Sequence, residues 1–438
     1  MRRSFALIAL LVVPAVLPAQ AGSPAGPVPV ATLQARRAAL FARMGNGVAV
    51  LRSAEELSIE TDHPQDSDYR ENDEFFYLTG IESPGSYLVL VASDTLPDQA
   101  ILYIPPRNSA SEQWTGVKLD NDGAKALSGV DEVHSADSAK TLIPRRVNRA
   151  KAMGGALYVR RDSDVADDEF LRGLIFGGFG VAITVKDLGA EVAALRLVKD
   201  ADEIRRMRGT INATIEAQRD AARQMVPGMW EYQLEAIIEA AFRRNGAERV
   251  SFPSIVGSGP NSVTLHYDKS RRQMQAGDLV VVDIGAEWGY YAADVTRTYP
   301  VNGRWTPRQR AVYDLVLATQ QTAIDSVAPG MTIGRLNQIS RTYMTAHSGQ
   351  VCGGEDCGKY FPHGLSHWLG MDVHDVGSYS AAFVPGMILT VEPGIYLPTE
   401  DLGVRIEDDV LVTATGHEVL SQGAPRDPVE IERAMRRR

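Results

Sequence analysis

The chain has 438 residues, of which 44% are hydrophobic and 23% are charged, a composition that is typical of globular proteins and excludes a collagen-like or wholly disordered chain. Its length predicts two domains. The formal net charge of -10, without a basic stripe in the body of the chain, argues against nucleic-acid binding, because phosphate-binding proteins carry clustered positive charge.

The N-terminus has the pattern of a secretory signal peptide. Two arginines precede an apolar run over residues 5–16, and an A-x-A cleavage sequence follows at 19–21. The run is shorter than the roughly 20 residues that a membrane span needs. We therefore expect residues 1–21 to be removed and the mature protein to be exported to the periplasm or the extracellular space, with no membrane span after processing.

Residues 22–190 alternate short apolar runs with helical patterns. Three continuous apolar runs, at 48–51, 87–91 and 100–104, have the length of buried strands. This part of the sequence therefore predicts an N-terminal α/β domain.

Residues 191–438 contain a weak internal repeat. The pattern P-G-M-x4-L occurs at 227–234 and again at 329–336, and each copy lies between two helical stretches. The repeat indicates a C-terminal domain that is built from two similar halves with a cleft between them.

The chain has two cysteines, Cys352 and Cys357, in a glycine-rich segment. For an exported protein this spacing predicts a local disulfide. A zinc site is disfavoured, because no second cysteine pair is present to complete the ligand set.

Four carboxylates follow apolar, strand-like runs, where an unpaired charge is costly: Asp283, Asp294, Glu392 and Glu407. A predicted hairpin turn at 287–290 would place the two aspartates on neighbouring antiparallel strands. Ion pairing would explain any one of these carboxylates by itself.

Ion pairing does not explain all four, since Arg297 and Arg405 are the obvious local cations. Three histidines also lie close together in the sequence: His363, His367 and His374. Carboxylates with an imidazole are ligands for hard or borderline divalent ions, so the pattern predicts a dinuclear metal centre.

Four motifs in order carry a specific resemblance. They are D-I-G-A from Asp283, H-G-L-S-H-W-L-G-M-D-V-H-D from His363, T-V-E-P-G-I-Y at 390–396 and G-V-R-I-E-D-D at 403–409. Together they resemble the proline-specific metallopeptidases of the pita-bread fold, most closely aminopeptidase P. D-S-D-Y-R at 66–70 and N-D-E-F-F-Y-L-T-G at 72–80 resemble the N-terminal domain of that family.

This resemblance covers nearly the whole mature chain and implies an α/β (α+β) architecture. An N-terminal α/β, creatinase-like domain would span residues 22–190. A catalytic pita-bread domain with pseudo-two-fold halves would span residues 191–438.

The resemblance implies two divalent metal ions per chain, bound by five ligands: Asp283, Asp294, His367, Glu392 and Glu407. It suggests manganese, with cobalt and zinc also compatible with the ligand set. A water or hydroxide shared by the two ions would be the nucleophile.

The same resemblance implies roles for further residues. Glu392 would carry the proton from the nucleophile to the leaving nitrogen. The other catalytic candidates are His266, His363, His374 and Arg405. The substrate-binding candidates are His266, His374, Tyr396 and Trp114, of which Trp114 resembles a tryptophan that some bacterial relatives project into the active site of a neighbouring subunit.

We therefore expect an exported Xaa-Pro aminopeptidase that acts on peptides with proline at the second position and forms a homo-oligomer, either a dimer or a tetramer. The near alternative is a prolidase, which cleaves Xaa-Pro dipeptides and shares the metal motif. Creatinase shares the fold but lacks this metal set. A catalytically silent binding protein on the same fold is a remote alternative, because all five ligand positions are occupied by suitable residues.

Overall fold

A computed structural model describes residues 24–56, 69–160, 168–176 and 183–436. The predicted signal peptide and the D-S-D part of the N-terminal motif, at 66–68, lie outside the described residues. No helix of the described chain is long and apolar enough to cross a membrane.

A mixed six-stranded sheet forms the centre of the N-terminal part. The strands lie in the order β4-β3-β2-β1-β5-β6, with β2 antiparallel to both neighbours and the other pairs parallel. Their bounds are β1 Gly47–Arg52, β2 Tyr87–Ala92, β3 Gln99–Ile104, β4 Glu132–Ser135, β5 Ala156–Val159 and β6 Val185–Asp187.

The first three strands confirm the three apolar runs that the sequence predicts as strands. Their side chains are apolar at consecutive positions because both faces of the sheet are covered. Val48 and Val50 pack into one hydrophobic cluster, whereas Ala49 and Leu51 pack into another on the opposite face.

Helices cover this sheet. Their bounds are α1 Val30–Met44, α2 Asp73–Thr79, α3 Ser109–Thr115, α4 Asn121–Ser128, α5 Ala139–Ala152, α6 Glu169–Ile175 and α7 Leu188–Arg196. A short 3-10 helix, Ala136–Ser138, precedes α5. The buried cluster under α1 also contains residues from the C-terminal part of the chain, such as Tyr291 and Leu369, so the two parts share a hydrophobic core.

The described residues of the C-terminal part form four long helices and one short one. Their bounds are α8 Ala201–Gln224, α9 Glu231–Arg244, α10 Pro307–Ile324, α11 Ile333–Ala346 and α12 Pro428–Met435. The start of α8 is fixed by a capping box in which Asp200 accepts from the backbone of Glu203 and the Glu203 side chain accepts from the Asp200 backbone.

The predicted internal repeat corresponds to a repeated helix pair. The first P-G-M turn joins α8 to α9, and the second joins α10 to α11. The glycine of each turn has nearly the same φ, 88° at Gly228 and 87° at Gly330, in a region that favours glycine. The repeat in the sequence is thus also a repeat of the turn and of the two helices that it joins.

Eleven strands surround the candidate ligands in the described C-terminal part. Their bounds are β7 Arg249–Val250, β8 Ile255–Ser258, β9 Leu279–Ile284, β10 Ala286–Trp288, β11 Tyr291–Ala292, β12 Val295–Pro300, β13 Ile388–Val391, β14 Gly394–Leu397, β15 Leu402–Arg405, β16 Asp408–Val412 and β17 His417–Val419. They form the sheets β12-β9-β8, β11-β10-β7, β13-β16-β17 and β14-β15. Three 3-10 helices, Gly259–Val263, Cys357–Tyr360 and Pro398–Glu400, lie between them.

The predicted hairpin turn is present between β10 and β11, where Gly289 and Tyr290 have φ values of 59° and 72°. Asp283 lies on β9, which pairs with the antiparallel strand β12. Asp294 lies one residue before β12. The sequence thus predicts the adjacency of the two aspartates correctly, although the hairpin forms its own strand pair and is more than a turn.

The predicted local disulfide is also present, between Cys352 and Cys357. Both cysteines are buried in the main hydrophobic cluster of the C-terminal part. The 3-10 helix that begins at Cys357 leads directly into Phe361 and His363.

Candidate metal centre

The five predicted ligands converge because each lies at the end of a buried strand or beside one. Asp283 is on β9 and Asp294 precedes β12. Glu392 follows β13, and Glu407 lies between β15 and β16. His367 lies in a loop, where its backbone N–H donates to Thr390 Oγ1 at 3.2 Å and thereby joins the loop to β13.

The ligand atoms surround the imidazole of His367. Its Nε2 lies 3.4 Å from Asp294 Oδ2, 3.6 Å from Glu392 Oε1 and 3.9 Å from Glu407 Oε1. Its Nδ1 lies 3.0 Å from the carbonyl oxygen of Trp368, to which it donates as Nδ1–H, so Nε2 is left as the nitrogen that can bind a metal. One ligand atom each from Asp294, His367 and Glu407 lie within 4.8 Å of one another.

Several carboxylate oxygens of this group are buried without a hydrogen-bond partner in the described chain: Asp283 Oδ1, Asp294 Oδ1 and Glu407 Oε1. A buried polar atom without a partner is costly, and buried carboxylates are normally paired or bound to a metal. Hard oxygen donors with one imidazole are suited to a divalent cation. The residues present therefore fit a metal site.

The carboxylates of the group repel one another when no cation is bound. Burial, followed by the charge of Asp283, raises the pKa of Asp294 well above its usual value. Burial, followed by the charge of Asp294, does the same for the pKa of Glu407. Burial also raises the pKa of Glu392, to about 7. Divalent cations reverse such shifts by stabilising the ionised carboxylates.

The two local arginines do not neutralise the group. Arg297 is fully buried: its Nη2 donates to Asp408 at 2.7 Å and its Nη1 donates to the backbone carbonyl of Glu407 at 2.6 Å. It therefore contacts the backbone of a predicted ligand and pairs with no ligand carboxylate. Arg405 donates to Asp283 Oδ2 at 2.6 Å. Among the described residues, no lysine or arginine lies within ion-pair distance of Asp294 or Glu407, so ion pairing does not account for these two carboxylates.

The group lines a cavity of about 340 Å³. The other predicted site residues in its wall are His266, His363, His374 and Arg405. The remaining lining residues are Leu265, Gly364, Ser366 and Tyr379.

The three histidines differ in how their rings are held. His363 Nδ1 lies 2.8 Å from the Gly364 carbonyl oxygen, so it carries the proton and donates. His363 Nε2 then accepts from the Tyr396 hydroxyl at 2.9 Å. Within the described chain, the rings of His266 and His374 make no hydrogen bond, although the rings of His374 and His367 lie 4.1 Å apart.

Two of these histidines stay neutral near neutral pH. Burial, followed by the charge of Arg405, lowers the pKa of His363 to about 4. Desolvation in the cavity, followed by the nearby rings of His367 and His266, lowers the pKa of His374 to about 4. Neutral rings can donate or accept one hydrogen bond at each nitrogen.

Tyr396 and Arg405 form one connected group with the histidine and aspartate next to them. Arg405 Nη1 donates to the Tyr396 hydroxyl at 2.8 Å, and that hydroxyl donates to His363. Arg405 Nη2 donates to Asp283. Arg405 is 4% exposed, so its charge is fixed beside the predicted ligands. Tyr396 thus lies behind the cavity wall and contacts the cavity through His363.

Trp114 lies elsewhere. It is on α3 in the N-terminal part, its side chain is 89% exposed, and it is not among the residues that line the cavity of its own chain. Its predicted contact with substrate would have to be made in another subunit.

Two residues at this site, Thr296 and Tyr379, were not predicted from the sequence. Thr296 donates to Glu407 Oε2 at 2.6 Å, and Tyr379 lines the cavity. The position of Thr296 was detectable, because 294, 296 and 298 fall on one face of a strand with a two-residue period. Tyr379 lies in an irregular segment, for which the sequence offers no periodic pattern.

Comparisons with known proteins agree with this geometry. Residues 33–153 match the aminopeptidase P N-terminal domain, and residues 205–414 match metallopeptidase family M24. The chain is 36% identical over 432 residues to a protein of Escherichia coli (strain K12) named Xaa-Pro aminopeptidase, and the match covers 92% of this chain and 97% of that relative.

Solved structures show the same similarity. Proline aminopeptidase P II from Yersinia pestis is 35% identical with a TM-score of 0.86, over 93% of this chain and 99% of that chain. Zinc-substituted E. coli aminopeptidase P in complex with product is 33% identical with a TM-score of 0.86, over 94% of this chain and 99% of that chain. The chain is therefore a metallo-exopeptidase that belongs to metallopeptidase family M24 and, within it, to the aminopeptidase P proteins.

Proposed function

We propose that the chain is an exported aminopeptidase that uses two divalent metal ions to hydrolyse the N-terminal Xaa-Pro bond of peptides. A domain over residues 22–190 would precede the catalytic domain over residues 191–438. The observation that carries the proposal is the convergence of all five predicted ligands on one cavity, in a chain that matches the E. coli relative over 92% of its length.

The negative charge of the ligand group favours two metal ions. Four buried carboxylates carry a charge of -4 when ionised, and Arg405 offsets one of these charges, so a single divalent cation would leave the group negative and a second would be favoured. Asp294, Glu407 and His367 are close enough to share one ion, while Asp283 and Glu392 line the same cavity and extend the donor set. We propose manganese as the native metal, with cobalt and zinc as alternatives that the same donors accept.

Divalent ions bound there would supply Lewis acidity and would lower the pKa of water at the site. The chain itself would supply proton transfer. Glu392 lines the cavity, so its carboxylate can accept a proton there and pass it to the leaving group. The leaving nitrogen of an Xaa-Pro bond carries no hydrogen, so it must receive a proton before proline can depart as a secondary amine.

The roles of the three histidines would differ because their ring nitrogens have different hydrogen-bond partners. His374 and His266 have ring nitrogens free of partners in the described chain, so they can donate to a substrate carbonyl oxygen and stabilise the negative charge that develops on it. His363 already uses both nitrogens, with Gly364 and Tyr396. It would therefore act by fixing the wall beside Glu392, which lies 3.5 Å from its Nδ1.

The decisive experiment incubates the manganese-loaded protein with an Xaa-Pro-Yaa tripeptide and, in parallel, with the matching Xaa-Pro dipeptide. We expect release of Xaa from the tripeptide. Cleavage of the dipeptide alone would replace the proposal by a prolidase assignment. If neither peptide were cleaved with two metals bound, the proposed substrate class would be wrong.

A second experiment tests the metal assignment and the catalytically silent alternative. Asp283→Asn and Glu407→Gln should each abolish turnover and reduce the bound metal, while the far-UV circular dichroism stays that of a folded protein. Asp401→Asn is the matched control, because Asp401 is exposed and has φ 50°, which asparagine also adopts. Near-normal turnover in either ligand variant would overturn the dinuclear assignment.

Export and assembly are separate parts of the proposal. Export is supported by the pattern of residues 1–21, and N-terminal sequencing of the protein from a periplasmic or culture fraction should begin near residue 22. A homo-oligomer is supported by the 89% exposure of Trp114. Light scattering after size exclusion should give a dimer or a tetramer, and a monomer would contradict the proposal.

A further inference from the structure

The segment that carries His374, residues 371–378, contains no helix or strand. We refer to it as the His374 segment. Its few backbone bonds to the rest of the chain include Asp375 N–H to the Trp368 carbonyl at 2.9 Å. A loop without a hydrogen-bonded ladder depends on side-chain contacts for its conformation, so the position of the His374 ring depends on those contacts.

Arg196, the last residue of α7, provides the main contacts. Its side chain is 1% exposed, and its Nη2 donates to Asp375 Oδ1 at 2.7 Å and to Asp372 Oδ2 at 3.1 Å. These aspartates stand two residues before His374 and one residue after it. The arginine therefore holds the backbone on both sides of His374.

The same guanidinium also binds the N-terminal part of the chain. Its Nη2 lies 3.1 Å from Asp73 Oδ2, and its Nη1 lies 3.3 Å from Glu74 Oε1. Both acidic residues are in the first turn of α2 and both are buried. Arg196 is thus the common partner of α2 and the His374 segment.

Lys199 completes the partners of Asp375. Its Nζ lies 2.9 Å from Asp375 Oδ2, and both side chains are 1% exposed. Space for this pair depends on Gly370, since a Cβ at that residue would lie 2.0 Å from Asp375 Oδ2. The Asp375 carboxylate is therefore held at both oxygens in a site that admits little movement.

The geometry of a guanidinium is essential to this arrangement. A planar fork of fixed donors can bind several carboxylates in set directions, whereas an ammonium group is a point charge on a flexible stem. Replacing Arg196 by lysine would retain a positive charge but could not span the distances to α2 and to both aspartates. Buried charges that lose a partner are costly, so the aspartates would move toward solvent.

We propose that Arg196 is a positioning residue that holds His374 in the cavity and links this histidine to the N-terminal part of the chain. The kinetic consequence rests on the proposed function, in which His374 donates to the substrate carbonyl oxygen. A displacement of about 1 Å of such a group can reduce turnover on the order of 100-fold. Arg196 itself touches neither the cavity nor the predicted ligands.

The test compares Arg196→Lys with Arg36→Lys in the metal-loaded full chain. Arg36 is also buried at the junction of the two parts, where it binds Asp200 at 2.9 Å, but it makes no contact with the His374 segment. Arg196→Lys should lower kcat 10- to 100-fold with a smaller change in KM and unchanged metal content. Arg36→Lys should change kcat less than 3-fold.

A double-mutant cycle distinguishes an effect of Arg196 on the position of His374 from a loss of activity by general destabilisation of the fold. If Arg196 acts through His374, then Arg196→Lys should lower kcat less than 3-fold further when His374→Ala is already present. An equal loss in the wild-type and His374→Ala backgrounds would overturn the proposal. Asp372→Ala is a second probe in case Arg196→Lys does not fold, because the Asp372 side chain is 50% exposed, and it should lower kcat 3- to 10-fold.

Amide hydrogen exchange measures the mobility of the His374 segment without any substrate. Amides of residues 371–378 should exchange at least 10-fold faster in Arg196→Lys than in wild type, and at the wild-type rate in Arg36→Lys. Unchanged exchange in Arg196→Lys would overturn the positioning proposal. An inactive wild-type protein with the expected exchange pattern would overturn the proposed function and leave the positioning role supported.

Discussion

The hydroxyl of Thr296 donates to Oε2 of Glu407 at 2.6 Å, and this bond orients the whole carboxylate. The other oxygen, Oε1, is left without a hydrogen-bond partner in the described chain and points toward the ligand group, 3.9 Å from His367 Nε2. Thr296 also accepts from Arg405 Nε at 3.2 Å. Thr296, which is not itself a predicted ligand, thus holds both the Glu407 carboxylate and the Arg405 guanidinium in place.

We expect Thr296→Val to weaken metal binding by about 10- to 100-fold, the usual effect of losing a hydrogen bond that orients a ligand. Valine has nearly the shape of threonine, so the fold should persist. The measurement is titration of the metal-free protein with Mn²⁺, followed by metal analysis after dialysis. Thr296→Ser keeps the hydroxyl and is the matched control. Equal affinity in the valine variant and in wild type would contradict this role.

A buried carboxyl at the junction of the two parts should make stability depend on pH. Glu203 is 1% exposed and accepts from Tyr291 at 3.0 Å, and burial raises its pKa to about 7 from 4.5. Between these values the folded state holds a proton that the unfolded state has lost. The contribution of Glu203 to stability is therefore greatest below pH 4.5 and falls as the pH rises through 7.

The free energy of unfolding of the wild type should fall between pH 5 and pH 8, in part because Glu203 ionises. In Glu203→Gln this fall should be smaller by on the order of 2 kcal/mol. Urea unfolding of the metal-saturated protein at both pH values measures this difference. Glu216→Gln, at a position on the same helix whose side chain is 41% exposed, should leave the pH dependence unchanged. A wild-type slope in Glu203→Gln would show that this carboxyl ionises normally.

The disulfide should contribute to stability through the unfolded state. It closes a short loop between Cys352 and Cys357, for which loop closure predicts about 2 kcal/mol. The double variant Cys352→Ala/Cys357→Ala should lose about that amount in urea unfolding. Reductant should destabilise wild type equally and should not affect the variant. A wild type that is insensitive to reductant under unfolding conditions would mean that the two thiols are not bonded in solution.

Gly285 should tolerate no side chain. Gly285 lies between β9 and β10, and a Cβ there would lie 1.8 Å from the carbonyl oxygen of Ala293, the residue before Asp294, and 2.2 Å from Ser251 Oγ. Gly285→Ala should cost about 1–3 kcal/mol or more and should reduce bound metal, because the hairpin must shift. Gly334→Ala on α11, where a Cβ meets open space, should be neutral or stabilising by up to about 1 kcal/mol.

Much of the fold could be predicted because its signals are local. Each apolar run that predicted a strand is buried on both faces, and the glycines of the two P-G-M turns have nearly the same positive φ. The four carboxylates stood out because each follows an apolar, strand-like run, and the motifs that resemble a known family implied the full set of five ligands, including His367. The sequence did not predict the roles of Thr296, Tyr379 and Arg196. These roles depend on contacts with residues that are distant in the sequence.

The sequence by itself determined the residue types of the site, the strands that carry them and the family that they resemble. Only the tertiary structure decided which oxygens lack partners, that Arg297 pairs with Asp408 while Arg405 pairs with the predicted ligand Asp283, and that His363 already uses both ring nitrogens. The physical reason is that periodicity and motif spacing report local backbone geometry. Hydrogen-bond partners and burial depend on contacts between segments far apart, such as Asp73 with Arg196 and Thr296 with Glu407.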